Sequence, residues 1–495
     1  MDTLNCFGQK PRRAPPSKEE SDDVFPVYSS DDNSIYRKIM ITWTLRFDDV
    51  LDPDMLYGSL TRLLSTGSWR KLGGRLRLNS EGKLELHVPK EFTPERPAVR
   101  FSRQPIDTLI DQHPLAGQLP KATDNEPSMH LGPMTFRRFN ARPDAPACLD
   151  DLLHSDEPQL SVHVTSFKNA TLVALAWPHT MTGAIGLAAL MNAWSLTLAG
   201  RGDEVSQLQG VWEDLLGEAE TRSDPDQEPY LLASKEVKGL RLLRFGLNYW
   251  WKTVRAPKRE HRVFYLPASF ISQLHQRALD DLKKSSGESP FISEGDVLCA
   301  WATRIVAKQR GKRRPILTLN IFDIQSRLKS VFKPEPAYVQ NTSFRALSFF
   351  SAKEASDATF GETAYKFREA IAQQSTEQQI LAQLRFSRAA EKAGRPLVFG
   401  EPNESLLLIT NWTKANFYNV IDFAPAVVDS GACAEKRPVP KGKISFHHSE
   451  TPAQNPTGNN VFGILGKDHK GNYWVCSSFL ADSWAELEEE IKQSS

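Results

Sequence analysis

The chain has 495 residues, with 61 basic and 60 acidic side chains and a hydrophobic share of 40%. That length exceeds one ordinary core and predicts two domains, while a net charge of +1 gives no long-range field toward nucleic acid or an anionic membrane. The five cysteines (Cys6, Cys148, Cys299, Cys433 and Cys476) are odd in number, far apart and form no CxxC pair. The pattern indicates neither a zinc site nor a disulfide framework and suits a reducing, cytoplasmic setting.

In chain order, residues 1–22 are rich in Pro, Lys and Ser, lack the apolar core of a secretory signal, and are expected to be disordered. No apolar run reaches the ~18 residues that span a bilayer, so stable membrane insertion is not expected. "YRKIMITWTLRFDDVLD" reads as a strand and "PDMLYGSLTRLLSTG" as a helix. "GGRLRLNSEGKLELHVP" reads as two strands turned at Ser80-Glu81-Gly82, and "PQLSVHVTSFKNATLVALAW" as a hairpin turned at Lys168-Asn169. A small-residue helix, "GAIGLAALMNAWSLTLAG", follows. Residues 204–262 change texture and read as a crossover. Their apolar-basic helix, "LRLLRFGLNYWWKTVRAPKREHR", mixes the residues of a membrane-surface helix but is expected to pack on the body as a linker.

Strands and helices then resume. "HRVFYLP" is a strand, "ASFISQLHQRALDDLKK" a helix, and "SPFISEGDVLCAWATRIVAK" a second helix with Ser293 as N-cap. "RPILTLNIFDI" and "SLLLITNWTK" are strands, "NNVFGILGKDHKGNYWVCSSF" a hairpin turned at Asp468 to Asn472, and "ADSWAELEEEIKQSS" a closing helix. Two mixed halves, 23–203 and 263–495, predict an α/β or α+β pair of domains with a cleft between them.

Familiar catalytic signatures are missing: no GxSxG elbow, no GxGxxG fingerprint, and a P-loop-like "VFGILGKDH" with the wrong glycine spacing. His447-His448 sits among Pro, Lys and Ser and is expected in an exposed loop rather than a metal site. The basic run Lys308 to Arg314 is expected as a solvated loop, with phosphate binding as the alternative. His179 is the better candidate. It follows the strand "TLVALAW" and precedes a helix opening with Gly183, Ala184 and Gly186. The positive end of that helix would keep an imidazole neutral, as a general base requires, and the small residues would let a substrate approach. On local sequence alone, a structural histidine remains the competing reading.

"SVHVTSFKNATLVALAWPHTMTGAIGLAALMNAW" resembles the active-site segment of the BAHD-type acyltransferases, in particular their fungal trichothecene 3-O-acetyltransferase-like branch. Their motif is His-x-x-x-Asp-Gly or His-x-x-x-Asp-Ala. Other landmarks follow in order: Gly74, Arg75 and Leu76 in "GGRL"; Ser293, Gly295, Asp296 and Leu298 in "SEGDVL"; "DIQSRL"; "YVQN"; and "TNWTKANFYNVIDFAPA". The resemblance runs from about Phe25 to the C-terminal helix and implies two chloramphenicol-acetyltransferase-like domains of mixed sheets and helices, with a tunnel between them. It implies acyl-CoA, most simply acetyl-CoA, as co-substrate rather than a bound cofactor, no metal, a small-molecule alcohol as acceptor, no nucleic acid, and a monomer. His179 would be the general base, Asp422 an architectural motif residue with Phe423, and Trp412, Thr413 and Asn341 tunnel-lining residues. A non-catalytic small-molecule-binding relative, or a lone condensation-type domain, are the alternatives; Pro178 stands where the latter places a first histidine.

The sequence departs from the family pattern at Gly183, where the motif has Asp, and at Gln325, where the family has the Arg that pairs with it. Loss of both partners removes both desolvation penalties and reads as a rewired loop that keeps its base. "DFAPA" has alanines for glycines and Pro425, so its loop is expected to turn without positive φ at Ala424. Gln340 likewise replaces the glycine of the Tyr-x-Gly-Asn stretch.

Overall fold

The computed structural model describes residues 16, 18–123, 125–221, 227–254, 259–287, 290–309, 314–431, 439–451 and 460–494. Its N-terminal half is built on a five-stranded sheet in the order Ile444–Glu450, Met40–Phe47, Thr171–Pro178, Ser161–Ser166, Arg100–Pro105. Alternation along these strands sends Trp43, Leu45, Val162, Val173, Leu175 and Trp177 to one face, into a core shared with helices Pro53–Leu64 and Ala184–Leu198. Asp52 caps the first of these, its carboxylate accepting from the Asp54 and Met55 N–H groups. Burying each large apolar side chain contributes roughly 1.5–3 kcal/mol.

The C-terminal half carries a seven-stranded sheet: Ser343–Phe350, Ile316–Asp323, Ser405–Asn411, Asn460–Lys467, Tyr473–Leu480, Arg259–Leu266, Ser128–Leu131. Helices Ala268–Ser286, Glu294–Lys308, Phe360–Gln374 and Ala481–Ser494 cover one face through Phe264, Trp301, Phe462, Val475 and Trp484. Ser293 caps the Glu294–Lys308 helix as expected, in a box with buried Asp296, and Arg368 donates to both (2.8 Å to Asp296, 2.7 Å to Ser293). The family-like Ser-x-Gly-Asp motif is therefore a helix start with its charge met. Arg75 is likewise structural: fully buried, it donates to the carbonyls of Gly73 and Pro97.

Two strands cross the sequence division at 204–262. Ser128–Leu131 pairs with Arg259–Leu266, and Ile444–Glu450 pairs with Met40–Phe47. The second exchange overturns the expectation of an exposed loop at His447-His448. Both histidines lie in a strand and are essentially inaccessible, because the first sheet offers an open edge that this polar segment fills. The crossover helix forms at Leu240–Val254; it packs on the body through half-buried Leu242, Phe245 and Tyr249, as a linker would, but leaves Leu243, Leu247 and Trp250 exposed. Much of the expected disordered segment, 1–15 and 17, lies outside the described residues, as do 310–313 of the basic run; Asp22, by contrast, is buried against Arg96 (2.7 Å). Ala424–Ala426 forms a 3-10 turn without positive φ, as the alanine side chains favour; among the described residues, Asn416 is the non-glycine residue with positive φ.

Candidate active site

His179 stands immediately after the strand Thr171–Pro178, with Thr180–Gly183 turning the chain into helix Ala184–Leu198. Its N–H donates to Ile39 O (2.8 Å), which fixes the turn to the neighbouring strand. Tyr36 lies flat on the imidazole, with ring centroids 4.3 Å apart and planes 3° from parallel. Burial pushes the imidazole down from its ordinary 6.5 to about 4; Asn341 and the residue's own backbone oppose that fall without cancelling it. The ring is therefore neutral at physiological pH. The cause is desolvation rather than the helix dipole, whose influence fades within the first turn.

Asn341 arrives from the segment before strand Ser343–Phe350. Its Nδ2 donates to His179 O and to Asp31 Oδ1, each at 2.8 Å, and its N–H donates to the same Asp31 oxygen at 2.7 Å. Asp31 is buried, which pushes its carboxyl up to about 6. His179 Nδ1 and Asn341 Oδ1 are both buried without a partner among the described residues. Tyr36, Asp31 and the amide bonding of Asn341 were not legible locally, since each joins segments far apart in sequence.

The small residues after His179 accommodate protein rather than substrate. A Cβ at Gly186 would stand 2.8 Å from Val339 Cα and 2.9 Å from its carbonyl oxygen, so only glycine permits this approach. At Gly183 a Cβ would stand 3.1 Å from Asn341 Oδ1 and 3.4 Å from Ser343 Oγ. Asn341 and Ser343 thus face Gly183, whereas Thr342 between them holds Gln325, whose Nε2 donates to Thr342 Oγ1 at 3.0 Å. The space beside Gly183 is taken by the Asn341 amide.

Trp412 and Thr413 follow strand Ser405–Asn411. The turn Thr413–Ala415 packs on helix Ala184–Leu198, Trp412 meets Phe417 edge-on and lies parallel to His447, and Thr413 Oγ1 is buried without a partner among the described residues. Neither makes a hydrogen bond or ring contact with His179. Asp422 lies toward the far end of that helix: its N–H donates to Ser195 Oγ (3.0 Å), and its half-exposed carboxylate meets Lys443 (3.3 Å).

The face of the first sheet opposite its apolar core is polar. One row runs His448, Thr44, Ala174, His163, Ser102 across all five strands. Thr44 donates to Asn140 Oδ1, and Asn140 Nδ2 donates to Glu450 Oε1, both at 2.8 Å. This face meets the second sheet where Phe446 packs on Trp474, centroids 4.6 Å apart. Here His163 Nε2, His448 Nε2, Glu450 Oε2 and Trp474 Nε1 are buried and unpartnered among the described residues. Orphaned buried polar atoms on such a face mark places for water or a polar ligand. A cavity of about 180 Å³ lined by Trp69, Asn192, Leu196 and Pro336 contains no histidine and does not include His179. No metal-binding group of three or more His, Cys, Asp or Glu side chains occurs among the described residues.

Comparisons with known proteins show the family. The Transferase family matches residues 148–425, more than half of the chain. The acetyltransferase pyiB of Pyricularia grisea is 38% identical over 96% of this chain and 94% of its own. The O-acetyltransferase PaAT-2 of Phomopsis amygdali is 36% identical over 95% and 98%. A Penicillium decumbens relative named as the transcriptional regulator calD is 30% identical over 99% of each chain. Among solved structures, F. sporotrichioides TRI101 complexed with coenzyme A and T-2 shares the fold, with a TM-score of 0.65 at 14% identity over 95% of this chain and 98% of that one. The chain belongs to the transferase family, in its BAHD-type acyltransferase group, and is an acyltransferase.

Proposed function

We propose that this protein transfers an acetyl group from acetyl-CoA to a hydroxyl of a fungal secondary metabolite, a terpenoid, polyketide or alkaloid, with His179 as general base. The observation that carries the reading is a neutral, buried imidazole at the end of a strand, its Nδ1 without a hydrogen-bond partner among the described residues and the Asn341 side chain acting on it. In this reading Nδ1 keeps its proton beside Asn341, and Nε2 takes the proton of the acceptor hydroxyl. The alkoxide oxygen attacks the thioester carbonyl. The tetrahedral oxyanion collapses, the C–S bond breaks, and the coenzyme A thiolate leaves and recovers the proton from the imidazolium. No acyl-enzyme is needed: burial pushes the Cys476 thiol up to about 12 and the Cys299 thiol higher still, so neither is a thiolate nucleophile.

Asn341 is the positioning residue that holds the histidine loop where the family motif uses Asp. Trp412 and Thr413 flank the channel, Asp422 is architectural, and the polar row at Thr44, His448 and Glu450 lines the acceptor's path. The reducing cysteine pattern favours a cytoplasmic setting, and the family resemblance favours a monomer. The relative named as a regulator favours a second reading, a non-catalytic small-molecule binder. Coenzyme A thiol release from acetyl-CoA, assayed across a panel of terpenoid, polyketide and alkaloid alcohols, separates the two. Acceptor-dependent release that disappears in His179→Ala supports transfer; tight binding of an alcohol with no release in any pairing supports the binder.

A further inference from the structure

We propose that the crossover helix Leu240–Val254 is a docking surface for an anionic lipid bilayer, on which the protein rests without spanning it. At 100° per residue, Leu240, Leu243, Leu247, Trp250, Trp251 and Val254 fall within one arc of about 100°. All six are exposed, Leu240 at 84%, Leu247 at 69% and Trp250 at 60%. Single exposed apolar residues are ordinary, but a continuous stripe along one helix marks an interaction surface. The stripe is not the face that holds the helix to the body. Leu242, Phe245 and Tyr249, on the opposite side, are half-buried, and Asn248 Nδ2 donates to Pro402 O (3.3 Å). The helix therefore has two apolar sides, one used by the protein and one left outside.

Charge decides what covers the outer side. Between Glu236 and Glu260 the sequence holds seven basic residues (Lys238, Arg241, Arg244, Lys252, Arg255, Lys258 and Arg259) and no acidic one. Arg244 borders the apolar arc; Arg241, also exposed, lies about 80° beyond its edge. Two copies joined by this face would bring like charges together across a two-fold axis. An anionic leaflet instead offers complementary charge to the arginines, an apolar layer for the leucines, and the headgroup boundary for Trp250 and Trp251. A helix of fifteen residues is about 22 Å long, short of a bilayer's hydrocarbon thickness. No described helix is long and apolar enough to cross a membrane. The surface argument is independent of the acetyl-transfer reading.

The test is co-flotation of the full-length protein with vesicles of phosphatidylcholine alone and of phosphatidylcholine with added phosphatidylserine. Binding is expected to the anionic vesicles, with a blue shift of tryptophan emission, and to weaken as salt rises. Leu243→Asp with Leu247→Asp should cut partitioning about tenfold or more. Arg241→Gln and Arg244→Gln should each cut it about fivefold; should the aspartate pair fail to fold, these charge variants carry the test. None should change coenzyme A release with a water-soluble acceptor. Equal or absent binding to the two vesicle types overturns the proposal. So does a dimer, seen by light scattering, that Leu243→Asp with Leu247→Asp converts to monomer, for that would assign the stripe to a second copy.

Discussion

Asn341 Nδ2 donates to the backbone carbonyl of His179 at 2.8 Å, tying the histidine turn of one half of the protein to the segment before an edge strand of the other. The same amide nitrogen holds Asp31. Three chain segments, around residues 31, 179 and 341, thus meet at one side chain.

Removing the imidazole tests the chemistry directly. His179→Ala should lower kcat/KM by about 10²–10⁴-fold while the melting temperature and coenzyme A binding stay near wild type. Steady-state kinetics beside calorimetry decide it; activity within threefold of wild type rules His179 out as the base.

Acid should act on both rate and stability. With the folded pKa of His179 at about 4 against 6.5 ordinarily, the unfolded chain binds more protons than the folded one between those values. Stability therefore rises with pH across that window and is lost as pH falls through it. His447 and His448, held down to about 3 by burial, push the same way to lower pH. The acid limb of kcat/KM should lie near 4, and an inflection near 6.5 would show a solvated base instead.

Gly183→Asp should hurt although it rebuilds the family motif. Its Cβ would press on Asn341 Oδ1, and its carboxylate would lie against an amide oxygen with no cation assigned to it. A loss of about 1–3 kcal/mol by urea unfolding is expected, with lower kcat/KM. Gln325→Arg should not restore it, because Gln325 is held by Thr342, whereas Asn341 and Ser343 face the glycine. Coupling under about 0.5 kcal/mol in the double-mutant cycle is the expected result; clear rescue would restore the pairing of residues 183 and 325 suggested by the family pattern.

Asn341→Asp would set a second carboxylate against Asp31. Because burial already pushes Asp31 up to about 6, the folded state binds more protons than the unfolded state between 3.8 and 6, and this contribution is lost as pH rises through that window. The variant should therefore be markedly less stable at pH 8 than at pH 5, relative to wild type, and Asn341→Ser should lose kcat more than acetyl-CoA KM. Equal destabilisation at both pH values would show that Asp31 and residue 341 do not share charge.

Glu450→Gln preserves the Asn140 hydrogen bond in shape but removes a buried carboxylate from the face between the sheets. The expected effect is a several-fold change in acceptor KM, about 3–10-fold, with acetyl-CoA KM unchanged. Equal effects on both substrates would place Glu450 in the scaffold rather than along the acceptor's path.

Local elements and the position of the candidate base were legible from the residues in order along the chain. The helix start at Ser293, the hairpin turn at Ser80-Glu81-Gly82 and the strand leading into His179 are decided by interactions within a few residues, so periodicity and caps reveal them. The sequence also carried the family likeness, because the ordered landmarks are themselves local. Tertiary structure alone decided the rest. His447 and His448 are buried because a distant sheet had an open edge to fill, which no neighbouring residue announces. Gly183 and Gly186 are small because Asn341 and Val339 approach them from the other half of the chain. The helix Leu240–Val254 was legible as amphipathic, but which of its apolar sides the body takes depends on Pro402 and on contacts made by a fold already assembled. Burial and partner choice are properties of segments brought together across hundreds of residues, and only the folded chain brings them together.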